Sequence, residues 1–201
     1  MTYNFPSPLI PPIKFNAVQP YVYRGAYPRE VNFEFLETLQ LKTILSLTPD
    51  PVTIESDAKL YNFAKRNNIT LVHLKCDKSG KGKKRGVPVG YSTVLDALHY
   101  MIHSSYGPVY IHCLNGSQTT SLVVACLRKL QFWSSIAIFN EFINFATNIT
   151  LNDRAFVEGF EGNIEVKNQD KVDWLWAGMS KGVVGNHPSI HVTQLDALSH
   201  T

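Results

Sequence analysis

The stretch PVYIHCLNGSQTTSLVVACLRKL, residues 108–130, decides how the rest of the chain is interpreted. An apolar run ends at His112-Cys113, a short polar loop containing Gly116 follows, and a second apolar run closes the segment. This order predicts a buried strand, a tight loop and a buried helix that begins at the loop. Loop N–H groups and the positive end of the helix then face one space above Cys113, which suits an anion and favours a thiolate.

A His-Cys pair alone usually marks an ordinary buried cysteine at the end of a strand. The order strand, cysteine, loop and helix favours instead a nucleophile at Cys113 that attacks phosphorus and forms a phosphocysteine. Gly116 supplies backbone freedom, and Thr120 at the start of the helix is placed to donate its hydroxyl to the sulfur. The predicted phosphate-binding residues are Leu114, Asn115, Gly116, Ser117, Gln118, Thr119 and Thr120.

Around this segment, strand-like runs such as KTILSLTPD and ITLVHL alternate with helix-like stretches such as YSTVLDALHYMIHSS. Alternation of this kind predicts an α/β domain with a central, mostly parallel sheet flanked by helices. We divide the chain into a proline-rich extended lead-in (1–12), one domain (13–160) and a C-terminal tail (161–201). The tail has no clear period, and we expect Trp174 and Trp176 to dock it.

Composition and charge exclude several classes of function. The chain has 201 residues, 44% of them hydrophobic, and a net charge of +3. Residues 75–85 hold six basic residues and one acidic residue, a local charge of +5 that leaves −2 for the remainder. Because the basic charge is local, a nucleic-acid partner is not expected. Asp96, His99 and His103 share a helix face, but no further ligand accompanies them, so we expect no metal and no cofactor.

Cysteine usage and hydropathy predict the setting. Three cysteines, Cys76, Cys113 and Cys126, cannot form a closed set of disulfides, which favours a reducing, cytoplasmic compartment. The first residues lack the order of a signal peptide, and no apolar run approaches the roughly 18 residues that span a bilayer, so no membrane partner is expected.

The motif HCLNGSQTTS resembles the signature of cysteine-dependent phosphatases: His-Cys, five residues, Arg, then Ser or Thr. With PPIKFNAVQPYVYRGAYP, NFEFLETLQLKTILSLTPD and ACLRKLQFWSSIAIFNEF, it makes roughly residues 11–160 similar to the plant and fungal atypical dual-specificity phosphatases. That family includes the fungal oxidant-induced cell-cycle arrest, tyrosine-phosphatase-like proteins. The resemblance implies a three-layer cysteine-phosphatase-like fold, a cytoplasmic setting and chemistry on phosphate esters or anhydrides. Active members are associated with inositol pyrophosphates.

The chain departs from the family at the signature arginine, whose position is occupied by Thr119, and at a glycine replaced by Ser121. The family arginine would hold two phosphate oxygens in a bidentate fork, and a positioned arginine contributes on the order of 10³–10⁵ in rate. We therefore expect a pseudophosphatase that binds a phosphate-bearing ligand, either an inositol polyphosphate or a phosphoprotein, with little turnover. The alternatives are a weak phosphatase acting through Cys113 and a thiol enzyme of the sulfurtransferase type. A hetero-oligomer with related phosphatase-like proteins is the expected assembly.

The segment KCDKSGKGKKRGVPVG corresponds to the general-acid loop of the resembled family. Asp77 is the local carboxylate and hence the candidate general acid, with a solvated aspartate as the alternative. The basic residues are either a solvated run or a clamp that swings over the phosphate, and the clamp candidates are Lys81, Lys83, Lys84 and Arg85. Cys76 is a candidate for a regulatory disulfide with Cys113. Arg24 in the YRG motif also matches the family, and we interpret it as structural.

Overall fold

The computed structural model describes residues 8–78, 80 and 85–195. The strands of the main sheet are β1 (Asn16–Gln19), β2 (Val22–Ala26), β3 (Thr43–Thr48), β4 (Thr70–Lys75) and β5 (Val109–Cys113). Their order is β1-β2-β5-β3-β4. Only the β1–β2 pair is antiparallel among them, whereas β2–β5, β5–β3 and β3–β4 are parallel. The predicted α/β class with a mostly parallel sheet is confirmed.

Helices cover both faces of this sheet. They are α1 (Phe33–Thr38), α2 (Ala58–Arg66), α3 (Tyr91–Ile102), α4 (Gln118–Leu130), α5 (Ser135–Phe145), α6 (Leu151–Glu158) and the short α7 (Lys181–Gly185). α2 begins after Asp57, whose carboxylate accepts the Leu60 N–H at 3.0 Å and so satisfies one of the unpaired donors at the helix start. α6 begins with a capping box between Thr150 and Asp153.

The alternation of side chains along the central strand β5 generates two cores. Val109, Ile111 and Cys113 point into a core that contains α3, α4, α5 and α6, whereas Tyr110 points into a second core with residues of α1 and α2. Successive side chains of a strand face opposite sides of its sheet, so side chains of this one strand pack in both cores. β5 is consequently buried along its whole length, and its carboxyl end is held rigidly.

The helix that follows the Cys113 loop lies inside the molecule. α4 is buried on nearly every side, including all residues from Leu122 to Leu127. A helix that is apolar on all faces needs neighbours all round, and α4 has them in β5, α3, α5 and α6. Its N-terminus is therefore fixed against the end of β5.

The C-terminal segment contains a second, two-stranded parallel sheet, β6 (Gly162–Lys167) with β7 (Ile190–Leu195). Its buried residues join the same core as α3 and α4. The indole N–H of Trp176 donates to the Leu130 carbonyl at 2.9 Å, and that of Trp174 donates to the Pro20 carbonyl at 3.2 Å. Both tryptophans thus contact the rest of the molecule, while the division of the chain at residue 160 stays a prediction.

Within the described ranges no helix has the length and hydropathy needed to cross a membrane.

Trp176→Ala tests whether the C-terminal segment is part of the same cooperative unit. Trp176 is buried and hydrogen-bonded to α4, so its truncation should lower the free energy of unfolding by about 3–5 kcal/mol in a single transition. Met179→Ala, at an exposed position in the same segment, is the matched control and should have little effect. Urea unfolding followed by circular dichroism measures both. Two separate transitions, or an unchanged midpoint for Trp176→Ala, would make 161–201 an independent tail.

Candidate functional site

Cys113 is the last residue of β5, and α4 begins five residues later at Gln118. The cysteine is only 3% exposed and lies opposite Ala26 at the end of β2. The carboxyl ends of parallel strands and the N-terminus of the following helix meet at this edge, where anions bind favourably. The fold therefore places the thiol under the loop formed by residues 114–117.

Gly116 allows the loop to lie directly on the end of β2. Its φ is +66°, and a Cβ at this position would lie 2.7 Å from both the Ala26 nitrogen and the Gly25 carbonyl carbon. Contacts of that length are not tolerated, and the left-handed conformation also favours glycine. Any side chain at 116 would push the loop off the sheet.

Arg24 of β2 holds the same loop by hydrogen bonds. One of its nitrogens, Nη2, donates to the Gly116 carbonyl at 3.1 Å and to the Ser121 hydroxyl at 2.7 Å. The guanidinium also lies 3.9 Å from the centre of the Phe145 ring, a cation–π contact. Burial lowers the pKa of Arg24 to about 10, so the group remains a cation at neutral pH. The YRG motif predicts a structural role for Arg24 but does not indicate its contact with the loop.

The brace on Gly116 also fixes the next peptide N–H. A trans peptide points its C=O and N–H in opposite directions, so holding the Gly116 carbonyl against Arg24 turns the Ser117 N–H away from the sheet. That N–H donates to the side-chain oxygen of Asn115 at 3.0 Å. The Cys113 thiol donates to the same oxygen at 3.7 Å. An oxygen atom thus already lies where a loop N–H and the thiol converge, and a bound anion would have to displace it.

Lys14 reaches the loop from the N-terminal segment. Its ammonium donates to the Ser117 hydroxyl and, at 2.6 Å, to the Phe145 carbonyl. Lys14 has a φ of +57°, at a turn in which the Phe15 N–H donates to the Pro12 carbonyl. Burial lowers the pKa of Lys14, the negative charge of Cys113 raises it, and the cation Arg24 lowers it. No motif in the sequence marks this lysine as a site residue.

The first turn of α4 carries the residues that depart from the family signature. Thr119 is 2% exposed and lies inside this turn. The hydroxyl of Thr120 is buried and has no hydrogen-bond partner among the described residues, so the predicted bond to the sulfur is not formed here. Ser121, at the family's glycine position, accepts a hydrogen bond from Arg24.

Arg85 is engaged away from the thiol. Its Nη2 pairs with Asp153 at 2.7 Å and with the Asn148 carbonyl at 2.9 Å, and Asp153 is fully buried. Gln118 donates to the other oxygen of the same carboxylate at 2.7 Å. This network fastens the segment after residue 84 to α4 and α6, and a clamp role would require Arg85 to leave Asp153. The other clamp candidates, Lys81, Lys83 and Lys84, lie outside the described residues.

Asp77 and Cys76 follow directly after β4. The Asp77 side chain is exposed, and its N–H donates to the Pro88 carbonyl at 2.9 Å. Burial raises the pKa of the Cys76 thiol to about 12, with further contributions from Cys113 and Asp77. Cys76 and Cys113 belong to the same buried core, whereas Asp77 is exposed to solvent. Cys76 and Cys113 are unlinked, and the general-acid role of Asp77 stays a prediction.

His112 is a buried neutral group. Its Nε2 lies 2.9 Å from the Ser46 hydroxyl and its Nδ1 lies 3.4 Å from the Cys113 carbonyl. A carbonyl only accepts, so Nδ1 carries the proton and Nε2 accepts from Ser46. Burial lowers the pKa of His112 to about 4. The ring therefore fixes the end of β5 without contributing charge.

A cleft of about 390 Å³ opens beside the loop, with walls that include Ile13, Tyr27, Arg29, Val31, Leu114 and Asn115. Its mostly apolar rim suits the body of a ligand whose anionic group lies at the loop. In the ranges that the structure describes, no group of three or more potential ligands is arranged to hold a metal ion.

Comparisons with known proteins identify the family of this chain. A model of the tyrosine phosphatase family matches residues 9–178. The chain is 42% identical to OCA6 of Saccharomyces cerevisiae over 179 residues, which cover 83% of this chain and 79% of that protein. It is 35% identical to the inositol diphosphatase DSP3 of Arabidopsis thaliana over 154 residues, which cover 76% of this chain and 72% of that protein.

Solved structures confirm the predicted cysteine-phosphatase-like fold. The core catalytic domain of the PP-IP phosphatase SIW14 from Saccharomyces cerevisiae, in complex with citrate, is 33% identical with a TM-score of 0.67. That match covers 77% of this chain and 89% of the other. A kinase-associated phosphatase matches at a TM-score of 0.52 and 17% identity, covers 74% of this chain and 94% of its own, and supports the fold alone.

The burial of His112 predicts a loss of stability in acid. Its pKa is about 4 when folded and about 6.5 when unfolded, so the unfolded chain binds more protons between these values. The stabilisation is complete above about pH 6.5 and is lost as the pH falls towards 4, with about 2 kcal/mol lost between pH 7.5 and 5. His112→Gln should remove this part of the pH dependence in urea unfolding, while His103 and His187 titrate equally in both proteins. Identical pH profiles would contradict the assignment.

Proposed function

The chain belongs to the tyrosine phosphatase family, among its atypical plant and fungal members, and we propose that it is a pseudophosphatase. It binds phosphorylated ligands or partner proteins and hydrolyses their phosphate groups slowly or not at all. One observation carries this proposal: the loop keeps Cys113, Gly116 and the helix behind them, yet Thr119 occupies the position of the family's arginine.

Slow turnover follows from the chemistry of the missing group. In phosphoryl transfer, negative charge develops on oxygens that a bidentate guanidinium stabilises. A threonine hydroxyl is neutral and short, and Thr119 lies buried in the first turn of α4. Loss of a positioned arginine corresponds to on the order of 10³–10⁵ in rate in other phosphoryl-transfer enzymes. Arg85, the one clamp candidate within the described ranges, is engaged by Asp153.

Anion binding does not depend on that arginine alone. Backbone N–H groups of the loop and the N-terminus of α4 attract an anion whatever the side chains are. The contacts of Arg24 and Gly116 hold this backbone in place. Loss of the arginine can therefore abolish catalysis and leave binding, because only catalysis requires stabilisation that grows in the transition state.

The ligand class follows from the relatives. DSP3 and SIW14 carry the names of an inositol diphosphatase and a PP-IP phosphatase, which favours an inositol polyphosphate, with a phosphoprotein as the second class. The lysines at 81, 83 and 84 are the proposed clamp that closes over the phosphate and partly replaces the missing arginine. A cytoplasmic location and a hetero-oligomer with related phosphatase-like proteins complete the proposal.

A weak active phosphatase is the second candidate, favoured by the Cys113 thiol at the end of β5 beneath the loop. In that reaction the sulfur attacks phosphorus, the P–O bond to the leaving group breaks, and the leaving oxygen takes a proton from Asp77. Water then attacks phosphorus and gives a proton to the Asp77 carboxylate as the S–P bond breaks, which releases phosphate and regenerates the Asp77 acid and the Cys113 thiolate. The match over residues 9–178 argues against a sulfurtransferase.

The central test measures binding and turnover on the same protein. We expect inorganic phosphate, sulfate or an inositol hexakisphosphate probe to bind in calorimetry and to raise the melting temperature. We expect hydrolysis of an inositol pyrophosphate and of a phosphotyrosine peptide near background, equal to that of Cys113→Ser. Absence of binding at millimolar ligand would refute the proposal. Turnover above the Cys113→Ser control, at rates normal for the family, would establish the active alternative.

Thr119→Arg should raise phosphatase activity roughly ten- to a hundredfold, less than the full range for a positioned arginine. The new guanidinium supplies the lost charge, but its fork must be oriented inside a turn that already contains the Arg24–Ser121 contact. Thr119→Gln, of intermediate length and neutral, is the matched control. The gain should disappear in the double variant with Cys113→Ser. Equal activities of the Arg and Gln variants would show that charge at 119 is not the missing element.

A further inference from the structure

Two cations from distant segments meet next to the loop. The ammonium of Lys14 contacts the Ser117 hydroxyl and the Phe145 carbonyl, and the guanidinium of Arg24 packs on the Phe145 ring. The Ser117 hydroxyl itself donates to the Phe145 carbonyl at 3.3 Å. The N-terminal turn, β2, the loop and the end of α5 thus meet at one place. We call its two cations, Lys14 and Arg24, the basic pair.

The basic pair lacks a carboxylate partner among the described residues. Glu141 is the acid whose charge acts on Arg24, but both of its oxygens are bound by Arg128, at 2.8 and 2.7 Å. A thiolate at Cys113 would attract both cations and raise the pKa of each. Two partly or fully buried like charges repel, and their proximity is relieved when an anion binds beside them.

Both cations keep N–H donors that no acceptor among the described residues occupies. Lys14 has three N–H bonds, and the acceptors Ser117 and Phe145 use two of them. Arg24 uses Nη2 for Gly116 and Ser121, whereas its buried Nε and Nη1 have no acceptor within the described residues. Ser121 adds a second observation, because this departure from the family's glycine gives Arg24 an acceptor that glycine lacks.

We infer that the basic pair supplies the positive charge of the anion site in place of the arginine absent at 119, and that the site selects dianionic phosphoryl groups. Lys14 contacts the bound oxyanion. Arg24 is a positioning residue that holds the loop from its β2 side and attracts the oxyanion through its positive charge. This inference rests on the proposed function, since it names the side chains and the charge state of the ligand for the same site. The positive charge of the site then comes from the N-terminal turn and β2, whereas the family arginine lies at the start of α4.

The pair also fits binding without efficient turnover. Both cations are held by protein acceptors before any ligand arrives, and neither forms a fork centred on the transferred group as the family arginine would. They stabilise a dianion in its ground state and in the transition state to a similar degree, which strengthens binding without raising the rate.

The test uses tungstate, a tetrahedral dianion, and perchlorate, a tetrahedral monoanion, in calorimetry on the full chain at several salt concentrations. We expect tungstate to bind in preference to perchlorate. Lys14→Gln should weaken tungstate binding at least tenfold and flatten its salt dependence, whereas Lys14→Arg should retain most of the affinity. Lys59→Gln, which removes an exposed lysine paired with Glu30, is the charge-matched control and should bind like the natural protein.

Arg24→Lys keeps the charge but removes the nitrogen that holds Gly116 and Ser121, so it should also weaken tungstate binding, with circular dichroism confirming the fold. If this variant does not fold, Lys14→Gln decides alone. Unchanged affinity and salt slope in Lys14→Gln, or equal affinity of the natural protein for both anions, would overturn the inference while leaving the proposed function intact. Failure of the natural protein to bind any oxyanion would overturn the proposed function, and the inference with it.

Discussion

The contact between the Cys113 loop and the end of β2 is the constraint on which the site depends. Gly116 lies so close to the β2 backbone that a methyl group would approach Ala26 to 2.7 Å, and Arg24 ties its carbonyl to the sheet. Together these contacts fix the direction of the peptide that follows, and so the direction of the Ser117 N–H. The order of the loop is thus imposed by a neighbouring strand and does not require a ligand.

Under the proposed function, the phosphatase fold lacks one catalytic side chain and still binds an anion. The side chain at 119 projects from α4, whereas the loop geometry is set by Arg24 and Gly116. Replacement of the signature arginine by threonine removes transition-state stabilisation but leaves the scaffold that presents N–H groups to an anion. The proposed binding protein rests on that difference between the requirements of binding and of catalysis.

Large parts of the fold were predictable because their signals are local. The alternating strands and helices predicted the mostly parallel sheet, and the apolar run after the loop predicted the buried helix α4. The second sheet was missed, although Gly162–Lys167 buries alternate residues as a strand should. Its partner strand begins more than twenty residues later, and a parallel pair formed across such a gap leaves no turn signal between the strands.

The sequence by itself determined the cysteine, the glycine and the missing arginine, because Cys113, Gly116 and Thr119 lie within seven consecutive residues of one strand-loop-helix unit. Only the tertiary structure decided which cations surround them. Arg24 reaches the loop because β2 runs parallel to β5 with Ala26 opposite Cys113, and Lys14 reaches it through the turn before β1. Such contacts depend on strand register and chain packing across about a hundred residues, and spacing along the sequence does not encode them.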